Sequence, residues 1–498
     1  MAKKITIDPV TRLEGHLKTE LLVEKGRIAK AYISGQMYRG FEQILIGRNP
    51  LDAQQIAQRI CGVCSAAHAQ ASALCLESAI GVTPPKNGLL LRNLMLASNF
   101  FQSHILHFYT MALPDYIDFT AILKYKGKEP ELLKLKDWGV EESNRVNGAP
   151  LAPFMPRYEG DYIEDVETNL TLIYHYLKAL RMRAVAHQMV ALFGGRMPMQ
   201  QSIFPGGALV KVSIDKIIAY KSLLQRLQTF INNSYLPDSV ELARHHPYYL
   251  KCGQGCQNFL SYGGFPQENG STFFPSGVII NNKVEEFNSN ALHEQVEHSY
   301  YSSPSGKHPS AGETAPLQNM SDKKAAYSWI KAPRYNGTVM EVGPLARRMI
   351  AYKIDAESSA SQSLEQVVKE LKIPLKSFIS VLGRNIARAL EAKLLAQQCA
   401  VWLEQLKPGA PTRESFELPE KASGAGMTSA PRGELGHWIQ IESKKIARYQ
   451  CITPTTWNAS PRDDKGQPGT IEQALEGIKI ADAAQPLEAL RIIHSFDP

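Results

Sequence analysis

The stretch that decides the fold is RICGVCSAAH, at residues 59–68. It holds two cysteines three residues apart, Cys61 and Cys64, close enough for both thiolates to bind one soft metal ion. Arg59 lies just upstream, where its positive charge favours the thiolate forms. His68 follows Cys64 by one helical turn and is well placed to hydrogen-bond a metal-bound sulfur. The stretch therefore predicts a metal or redox site.

The cysteine spacing alone leaves several kinds of site open. A Cys-x-x-Cys pair can be half of a zinc site, a redox dithiol or part of an Fe–S ligand set. A closed zinc or Fe–S site needs about four protein ligands, and the sequence holds no second pair of this spacing. The other cysteines are Cys75, Cys252, Cys256, Cys399 and Cys451. From the spacing alone, a structural metal or redox role and a catalytic metal site fit the sequence equally well.

Composition limits the class of protein. Of 498 residues, 44% are hydrophobic and 21% charged, as in ordinary soluble globular proteins. The net charge of +7 is small for this length, and the basic residues form no long run, which argues against nucleic-acid binding. Seven cysteines are too few and too scattered for a disulfide scaffold.

The sequence also bears on location. The N-terminal residues lack an apolar signal core and a twin-arginine motif. No segment approaches the roughly 18 consecutive apolar residues of a transmembrane helix. We therefore expect a chain that is cytoplasmic, or that is exported only together with a partner.

Hydrophobic periodicity predicts a mainly α (α+β) fold, with a central bundle of long helices and small peripheral β-sheets. Alternating residues predict a β-hairpin within residues 4–34, and a polar, proline-bearing region at 120–160 predicts surface loops. Loops and short strands are expected over residues 245–345. Helices are predicted over residues 52–61, 66–80, 89–111, 164–193, 214–235 and 375–406. The βαβ alternation of a doubly wound fold is missing.

The pattern Arg-x-Cys-Gly-x-Cys-x-x-x-His resembles the first metal-binding signature in the large subunit of nickel–iron hydrogenases. Further segments resemble the same family in the same order, from Asp8 to Pro498. The resemblance implies one domain, with a β-hairpin region at about 4–34, a helical core at about 52–410 and a metal-site region at about 425–498. It also implies that Cys61 is a terminal nickel ligand and that Cys64 bridges nickel to iron.

Three acidic residues match family motifs near the N-terminus. Glu14 lies in Arg-x-Glu-Gly-His, where the resemblance implies a carboxylate that passes protons outward from the metal. Glu42 lies in Arg-Gly-x-Glu and is implied to bind magnesium, together with the backbone carbonyl of Cys451. Asp115 matches an acidic residue over the open face of the metal centre. Simpler readings are a charged loop for Glu14, a surface ion pair for Glu42 and a helix cap for Asp115.

The C-terminal region carries further matches. In the segment Ala430-Pro431-Arg432-Gly433, the resemblance implies that Arg432 contacts a cyanide ligand of iron, with Pro431 beside it; otherwise Arg432 is a plain surface arginine. The segment with Pro454 and Thr455 resembles the element that binds the second cyanide, through the threonine hydroxyl. Arg432, Asp115 and Asp497 are expected to form a polar canopy over the metals.

The resemblance implies reversible oxidation of dihydrogen to protons and electrons. The implied cofactors are a nickel–iron centre with cyanide and carbon monoxide on iron, and a magnesium ion. Because this chain has no Fe–S ligand set, a separate small subunit with Fe–S clusters is implied, which passes electrons to a carrier such as a cytochrome or ferredoxin. Co-export with that subunit would make the chain periplasmic or membrane-associated.

The C-terminal residues Phe496-Asp497-Pro498 stand where the family continues as Asp-Pro-Cys-x-x-Cys-x-x-His. We expect that the natural protein continues with selenocysteine, as in the nickel–iron–selenium branch, and that the sequence was cut at that codon. Two other classes compete with an active hydrogenase. One is a non-catalytic relative, complex-I-like or sensory, which would have lost Cys61 and Cys64. The other is a zinc-stabilised scaffold, which would bind zinc without nickel.

Overall fold

Long helices form the centre of this computed structural model, which describes residues 3–143, 154 and 157–498. Helices α4, α6, α7 and α11 pack side by side, and α3 lies between this bundle and a three-stranded sheet. The helices of the described residues are α1 (Phe41–Leu45), α2 (Asp52–Ala57), α3 (Ser65–Ile80), α4 (Lys86–Leu106), α5 (Pro130–Ser143), α6 (Val166–Gly194), α7 (Ile214–Phe230), α8 (Leu236–His245), α9 (Pro344–Ile354), α10 (Ser359–Glu370), α11 (Val381–Gln405), α12 (Pro454–Asn458), α13 (Thr470–Leu475) and α14 (Leu487–Phe496).

Small sheets surround the bundle. Their strands are β1 (Lys3–Ile7), β2 (Leu17–Glu24), β3 (Arg27–Gly35), β4 (Ile203–Phe204), β5 (Gly207–Ala208), β6 (Phe259–Pro266), β7 (Thr272–Ile280), β8 (Lys283–Glu285), β9 (Leu292–Gln295), β10 (Ala332–Tyr335), β11 (Glu341–Val342), β12 (Lys421–Ala430), β13 (Gly433–Glu442) and β14 (Lys445–Ile452). The strand orders are β1-β2-β3, β11-β6-β7-β8, β12-β13-β14, β9-β10 and β4-β5. The predicted fold class is confirmed.

Backbone contact holds α3 against β12. A Cβ atom at Gly426 would lie 2.1 Å from the carbonyl oxygen of Ala71 and 2.3 Å from the amide nitrogen of Cys75. Only glycine allows so close an approach of strand to helix. The facing side of α3 is rich in buried alanine, which keeps the gap narrow. The helix that starts beside the cysteine motif is therefore fixed directly on the sheet that leads to Arg432.

Buried ion pairs tie the helices to the C-terminal region. Arg347 on α9 donates to Glu391 on α11 at 2.7 and 2.8 Å and to Glu434 on β13 at 3.0 Å. Arg384 on α11 pairs in the same way with Glu341 on β11, at 2.7 and 2.8 Å. Because these charges lie away from water, removing one partner leaves the other uncompensated.

Several helix boundaries differ from the predictions. The predicted helix at 89–111 ends at Leu106 and continues as a π-helical turn over His107–Ala112. The predicted helix at 214–235 likewise changes to a π-helical turn at Ile231–Tyr235 and then runs on as α8. Because the apolar stripe of each helix continues through its π-helical turn, the predicted α-helices were longer than the observed ones.

The prediction of loops over 120–160 is wrong in part. A 3₁₀ turn covers Phe119–Lys124, and α5 follows. Helix α5 is rich in charged residues, so its composition indicated a surface loop although the segment is helical. Residues 144–153, 155 and 156 of that region lie outside the described residues. Over 245–345, loops and strands occur as predicted, although β6 and β7 are full-length strands.

Candidate metal centre

The two motif cysteines meet at the start of α3. Cys61 is extended and follows a 3₁₀ turn over Gln58–Ile60, and Cys64 is the N-cap of α3. The backbone N–H of Cys64 donates to the sulfur of Cys61 at 3.1 Å. Both thiols are free and at most 9% exposed. The pair thus forms a compact, largely dry two-sulfur site.

The positive charge that acts on this pair comes from Arg432. The hydrogen bond from the Cys64 thiol lowers the pKa of Cys61. Burial opposes this effect and the charge of Arg432 adds to it, so that the pKa of Cys61 is about 7. Nη1 of Arg432 lies 3.9 Å from the Cys61 sulfur. Arg59 does not play the part we predicted for it: its side chain is exposed and donates to the carbonyl of Gln55.

Arg432 is held in turn by Asp497. Its Nε donates to Oδ1 of Asp497 at 2.9 Å, and both residues are buried. The other carboxylate oxygen, Oδ2, lies 4.0 Å from Nε of Arg388 and has no hydrogen-bond partner among the described residues. Burial disfavours the ionised form of Asp497, but the charges of Arg432, His107 and Arg388 and the hydrogen bond from Arg432 together outweigh burial and lower the pKa.

Asp115 belongs to a neighbouring ion cluster. Its carboxylate pairs with Arg12, and its Oδ2 lies 2.5 Å from Nδ1 of His494. Burial opposes ionisation, but the charges of Arg12 and His494 lower the pKa of Asp115 to about 2. His494 lies on α14 and Asp497 directly follows that helix, so this one segment carries the partner of Asp115 and the partner of Arg432. Asp115 does not cap a helix, and its described ion-pair partners differ from those of Arg432.

Glu14 lies against the cysteine motif. The backbone N–H of Gly62 donates to Oε1 of Glu14 at 3.2 Å. The residue is exposed in this chain, and its negative charge acts on the pKa of Cys61. A carboxylate therefore lies between the thiol pair and the surface.

Glu42 and Cys451, the two residues expected to bind magnesium, lie next to each other. Oε1 of Glu42 accepts the N–H of Cys451 at 2.9 Å, and Oε2 accepts the hydroxyl of Thr314. The ammonium of Lys331 lies 3.9 Å from Oε2. The carboxylate thus lies beside the backbone of Cys451, and the charge of Lys331 balances it. The predicted role of both residues toward magnesium stays a prediction.

The remaining predicted residues take structural positions around the site. The carbonyl of Pro431 accepts a hydrogen bond from Arg347 at 3.3 Å. Pro454 begins α12, and the carbonyl of Thr455 accepts the N–H of Ala459 at 2.8 Å. Their predicted roles toward iron ligands stay predictions.

Sequence reasoning missed the partner of His68. Nδ1 of His68 lies 3.1 Å from Nε2 of His437, a buried residue of β13. The signal was a histidine inside the otherwise apolar run of Leu435, Trp438 and Ile439. Because 369 residues separate the two histidines, spacing could not connect them.

The residues present fit half of a soft-metal site. Two buried thiols with a fixed guanidinium beside them suit a metal that also carries anionic ligands. Within residues 3–143, 154 and 157–498, no group of three or more His, Cys, Asp or Glu side chains could hold a metal ion. Over the same residues, no helix is long and apolar enough to cross a membrane.

The chain matches known proteins along nearly its whole length. A family described as "Nickel-dependent hydrogenase" matches residues 39–498, and one described as "HoxL-like" matches residues 4–34. The periplasmic [NiFeSe] hydrogenase large subunit of Desulfomicrobium baculatum is 41% identical, over 99% of this chain and 93% of that protein. The hydrogenase-1 large chain of Citrobacter freundii is 36% identical, over 100% of this chain and 94% of that protein.

Solved structures agree with these matches. The H2-activated [NiFeSe]-hydrogenase of Dm. baculatum superposes with a TM-score of 0.89 at 41% identity, covering 100% of this chain and 99% of that one. The reduced Ni-Fe-Se hydrogenase of D. vulgaris Hildenborough gives 0.88 at 36% identity, covering 100% and 98%. The chain therefore belongs to the nickel-dependent hydrogenase family, as a large subunit of enzymes that oxidise or evolve H2.

Proposed function

We propose that this chain cleaves dihydrogen at a nickel–iron centre held by Cys61 and Cys64. The observation that carries the proposal is the buried thiol pair with Nη1 of Arg432 at 3.9 Å from the Cys61 sulfur. When bound, the metal centre supplies the Lewis acid that polarises H2 and takes up its electrons. Further ligands are expected from outside the described residues.

The chain's own residues then have distinct tasks. Arg432 places a fixed positive charge over the thiol pair, and Asp497 orients that guanidinium through its 2.9 Å hydrogen bond. Asp115 holds the neighbouring end of α14 through His494. These contacts support a preorganised, charged wall, which costs no reorganisation when charge develops beside it.

Glu14 is proposed to carry the proton away. Its carboxylate accepts the N–H of Gly62, inside the cysteine motif, and the residue is exposed in this chain. A carboxylate in that position can accept a proton at the thiol pair and release it outward. Glu14→Gln keeps the hydrogen bond and removes the base, so we expect slower proton exchange with the metals still bound.

Glu42 is proposed to hold magnesium with the backbone at Cys451. Carboxylate oxygen is the hard ligand that magnesium prefers. Lys331, 3.9 Å from Glu42, is the competing cation. Magnesium analysis of wild type and of Glu42→Gln tests the assignment, which fails if the variant retains the ion.

The partner is proposed to be a small subunit with Fe–S clusters, since electrons from H2 must leave the centre and the relatives are large subunits. That subunit would pass electrons to a cytochrome or ferredoxin. The Dm. baculatum relative is named periplasmic, and we propose export of this chain together with its partner. Cell fractionation tests this, because recovery in the cytoplasm alone would contradict it.

The test of function is metal content and turnover of the purified two-subunit complex. We expect nickel and iron with H2-dependent reduction of a dye, and loss of both in Cys64→Ser but not in Cys256→Ser. Zinc without nickel would favour the scaffold, and nickel without turnover would favour a non-catalytic relative. Selenium analysis of the same sample tests the selenocysteine prediction, which stays a prediction.

A further inference from the structure

The carbonyl oxygen of Val63, between the two motif cysteines, is held by side chains of another helix. Nδ2 of Asn99 donates to this oxygen at 2.8 Å, and Nε2 of Gln102 donates to it as well. Both amides belong to α4, and because they are three residues apart they lie on the same side of that helix. Both residues are fully buried. The loop between the thiols is therefore attached to the central helix bundle.

The position of this carbonyl in the chain explains why it needs such donors. Cys64 is the N-cap of α3, and its carbonyl accepts the first hydrogen bonds of the helix, from Ala67 and His68. The carbonyl of Val63 lies one residue earlier and precedes the helical hydrogen bonds. A buried carbonyl without a donor costs about as much free energy as a lost hydrogen bond. The two amides of α4 supply the donors, one for each lone pair of the oxygen.

The orientation of the Gln102 amide is determined from a third helix. A carbonyl oxygen only accepts, so the NH₂ end of the Gln102 amide faces Val63 and its oxygen faces away. That oxygen, Oε1, lies 3.2 Å from Nε2 of His187 on α6. Because an amide oxygen also only accepts, Nε2 of His187 carries a hydrogen, whether the imidazole is neutral or charged. Donation therefore runs in one direction, from α6 through α4 to the cysteine motif.

The bond from His187 gives Gln102 a constraint that Asn99 lacks. Oδ1 of Asn99 is buried and has no hydrogen-bond partner among the described residues, so only Val63 orients that amide. Turning the Gln102 amide around would place oxygen against oxygen at Val63 and N–H against N–H at His187. Two hydrogen bonds would be lost together, and the donor end of Gln102 thus stays on the motif carbonyl.

We propose that Gln102 and His187 are positioning residues for the loop between the two metal-binding cysteines. His187 keeps the donor end of the Gln102 amide on the carbonyl of Val63, and this carbonyl holds the backbone that joins the thiols. The inference rests on the proposed function, in which Cys61 and Cys64 are metal ligands. Because that backbone determines the separation of the two sulfurs, holding it in place preorganises the pair for the metal.

Hydrogen exchange of backbone amides, followed by mass spectrometry on the purified two-subunit complex, tests the proposal. In Gln102→Leu we expect peptides that span residues 61–64 to exchange about 5–10-fold faster, the factor that corresponds to one buried hydrogen bond. The same variant should lose nickel to a chelator on the order of 10-fold faster, because residues that hold metal ligands in place contribute to metal affinity. Exchange and nickel loss at wild-type rates would overturn the proposal.

Two substitutions at His187 separate the orientation of the amide from packing. His187→Gln keeps an N–H within reach of Gln102, and we expect exchange at the wild-type rate. His187→Met removes the donor, which frees the Gln102 amide to rotate, so exchange over residues 61–64 should be faster. Because His187 is only partly buried, both variants give an answer even if Gln102→Leu does not fold. Equal exchange rates in the two variants would overturn the proposal.

The matched control is Gln228→Leu. Nε2 of Gln228 also donates to a backbone carbonyl of another helix, that of Ala396 at 2.9 Å, but this bond joins α7 to α11. We expect unchanged exchange over residues 61–64 in this variant. Exchange as fast as in Gln102→Leu would mean that general loosening is the cause, and would overturn the proposal. A wild-type complex without nickel overturns the proposed function, whereas unchanged exchange in Gln102→Leu overturns this inference alone.

Discussion

Removing the guanidinium of Arg432 tests the charged wall over the thiol pair. In Arg432→Met, the Asp497 carboxylate remains 1% exposed without its 2.9 Å donor. Breaking a buried ion pair on one side costs about 3–5 kcal/mol of unfolding free energy. Arg388, 4.0 Å from the other carboxylate oxygen, offsets part of this loss. We therefore expect destabilisation at the lower end, about 3 kcal/mol.

A double-mutant cycle isolates the pair. Asp497→Asn removes the negative charge, and the combination with Arg432→Met leaves neither charge unpaired across this contact. We expect the double variant to be more stable than the sum of the two single losses predicts, by about 1–3 kcal/mol. Urea unfolding of the metal-free subunit, followed by circular dichroism, measures all four proteins.

The reasoning would be refuted if the stability losses of the two single variants added up to the loss of the double variant within about 0.5 kcal/mol, since independent sites behave in that way. A loss below about 1 kcal/mol in Arg432→Met would do the same, because that is the range of exposed pairs. Arg244→Met is the matched control, as its pairs with Glu241 and Glu370 are exposed.

Three further predictions use the same unfolding assay. Gly426→Ala should cost at least about 1–3 kcal/mol, because its Cβ would lie 2.1 Å from the carbonyl of Ala71; an unchanged midpoint would contradict the close contact. Arg347→Met should cost about 3–5 kcal/mol by stranding Glu391, and a loss near zero would contradict it. Since the pKa of Cys61 is lowered from 9.0 to about 7, its ionisation adds stability that is complete above pH about 9 and lost as pH falls through about 7. Cys61→Ser should flatten that rise, and an unchanged pH profile would speak against the shift.

Local spacing was enough to predict the parts of the site that lie close together in sequence. Cys61 and Cys64 are neighbours on one turn, so their motif alone places the two thiols together. Glu14, Glu42 and Cys451 were identified instead from their resemblance to family motifs. Spacing could not have connected Glu14 to Gly62 or Glu42 to Cys451, because these partners lie 48 and 409 residues apart.

Partners from distant segments could not be predicted in this way. The charge beside Cys61 comes from Arg432, 371 residues away, and not from the adjacent Arg59. The contact between His437 and His68 likewise could not be predicted from hydrophobic periodicity. Such contacts depend on how α3 packs against β12 and β13, and that packing is set by glycines and alanines whose role appears only in three dimensions.

The same reasoning explains the fold. Long apolar stripes predicted the central helices, because burial of one face determines them. Helix α5 was not predicted because its sequence is rich in charged residues. Helices α9 and α10 were not predicted because they are only 11 and 12 residues long and follow a loop-rich region.

The separation of Cys61 and Arg432 along the chain has a consequence during synthesis. At about 5–20 residues per second, 371 residues take about 20–75 s to emerge from a ribosome. During that interval the two thiols exist without the guanidinium that later covers them. The thiol pair is therefore synthesised first, and the arginine that lies beside it is synthesised last. Until then the two thiols of the nascent chain stay accessible on the side that Arg432 later covers.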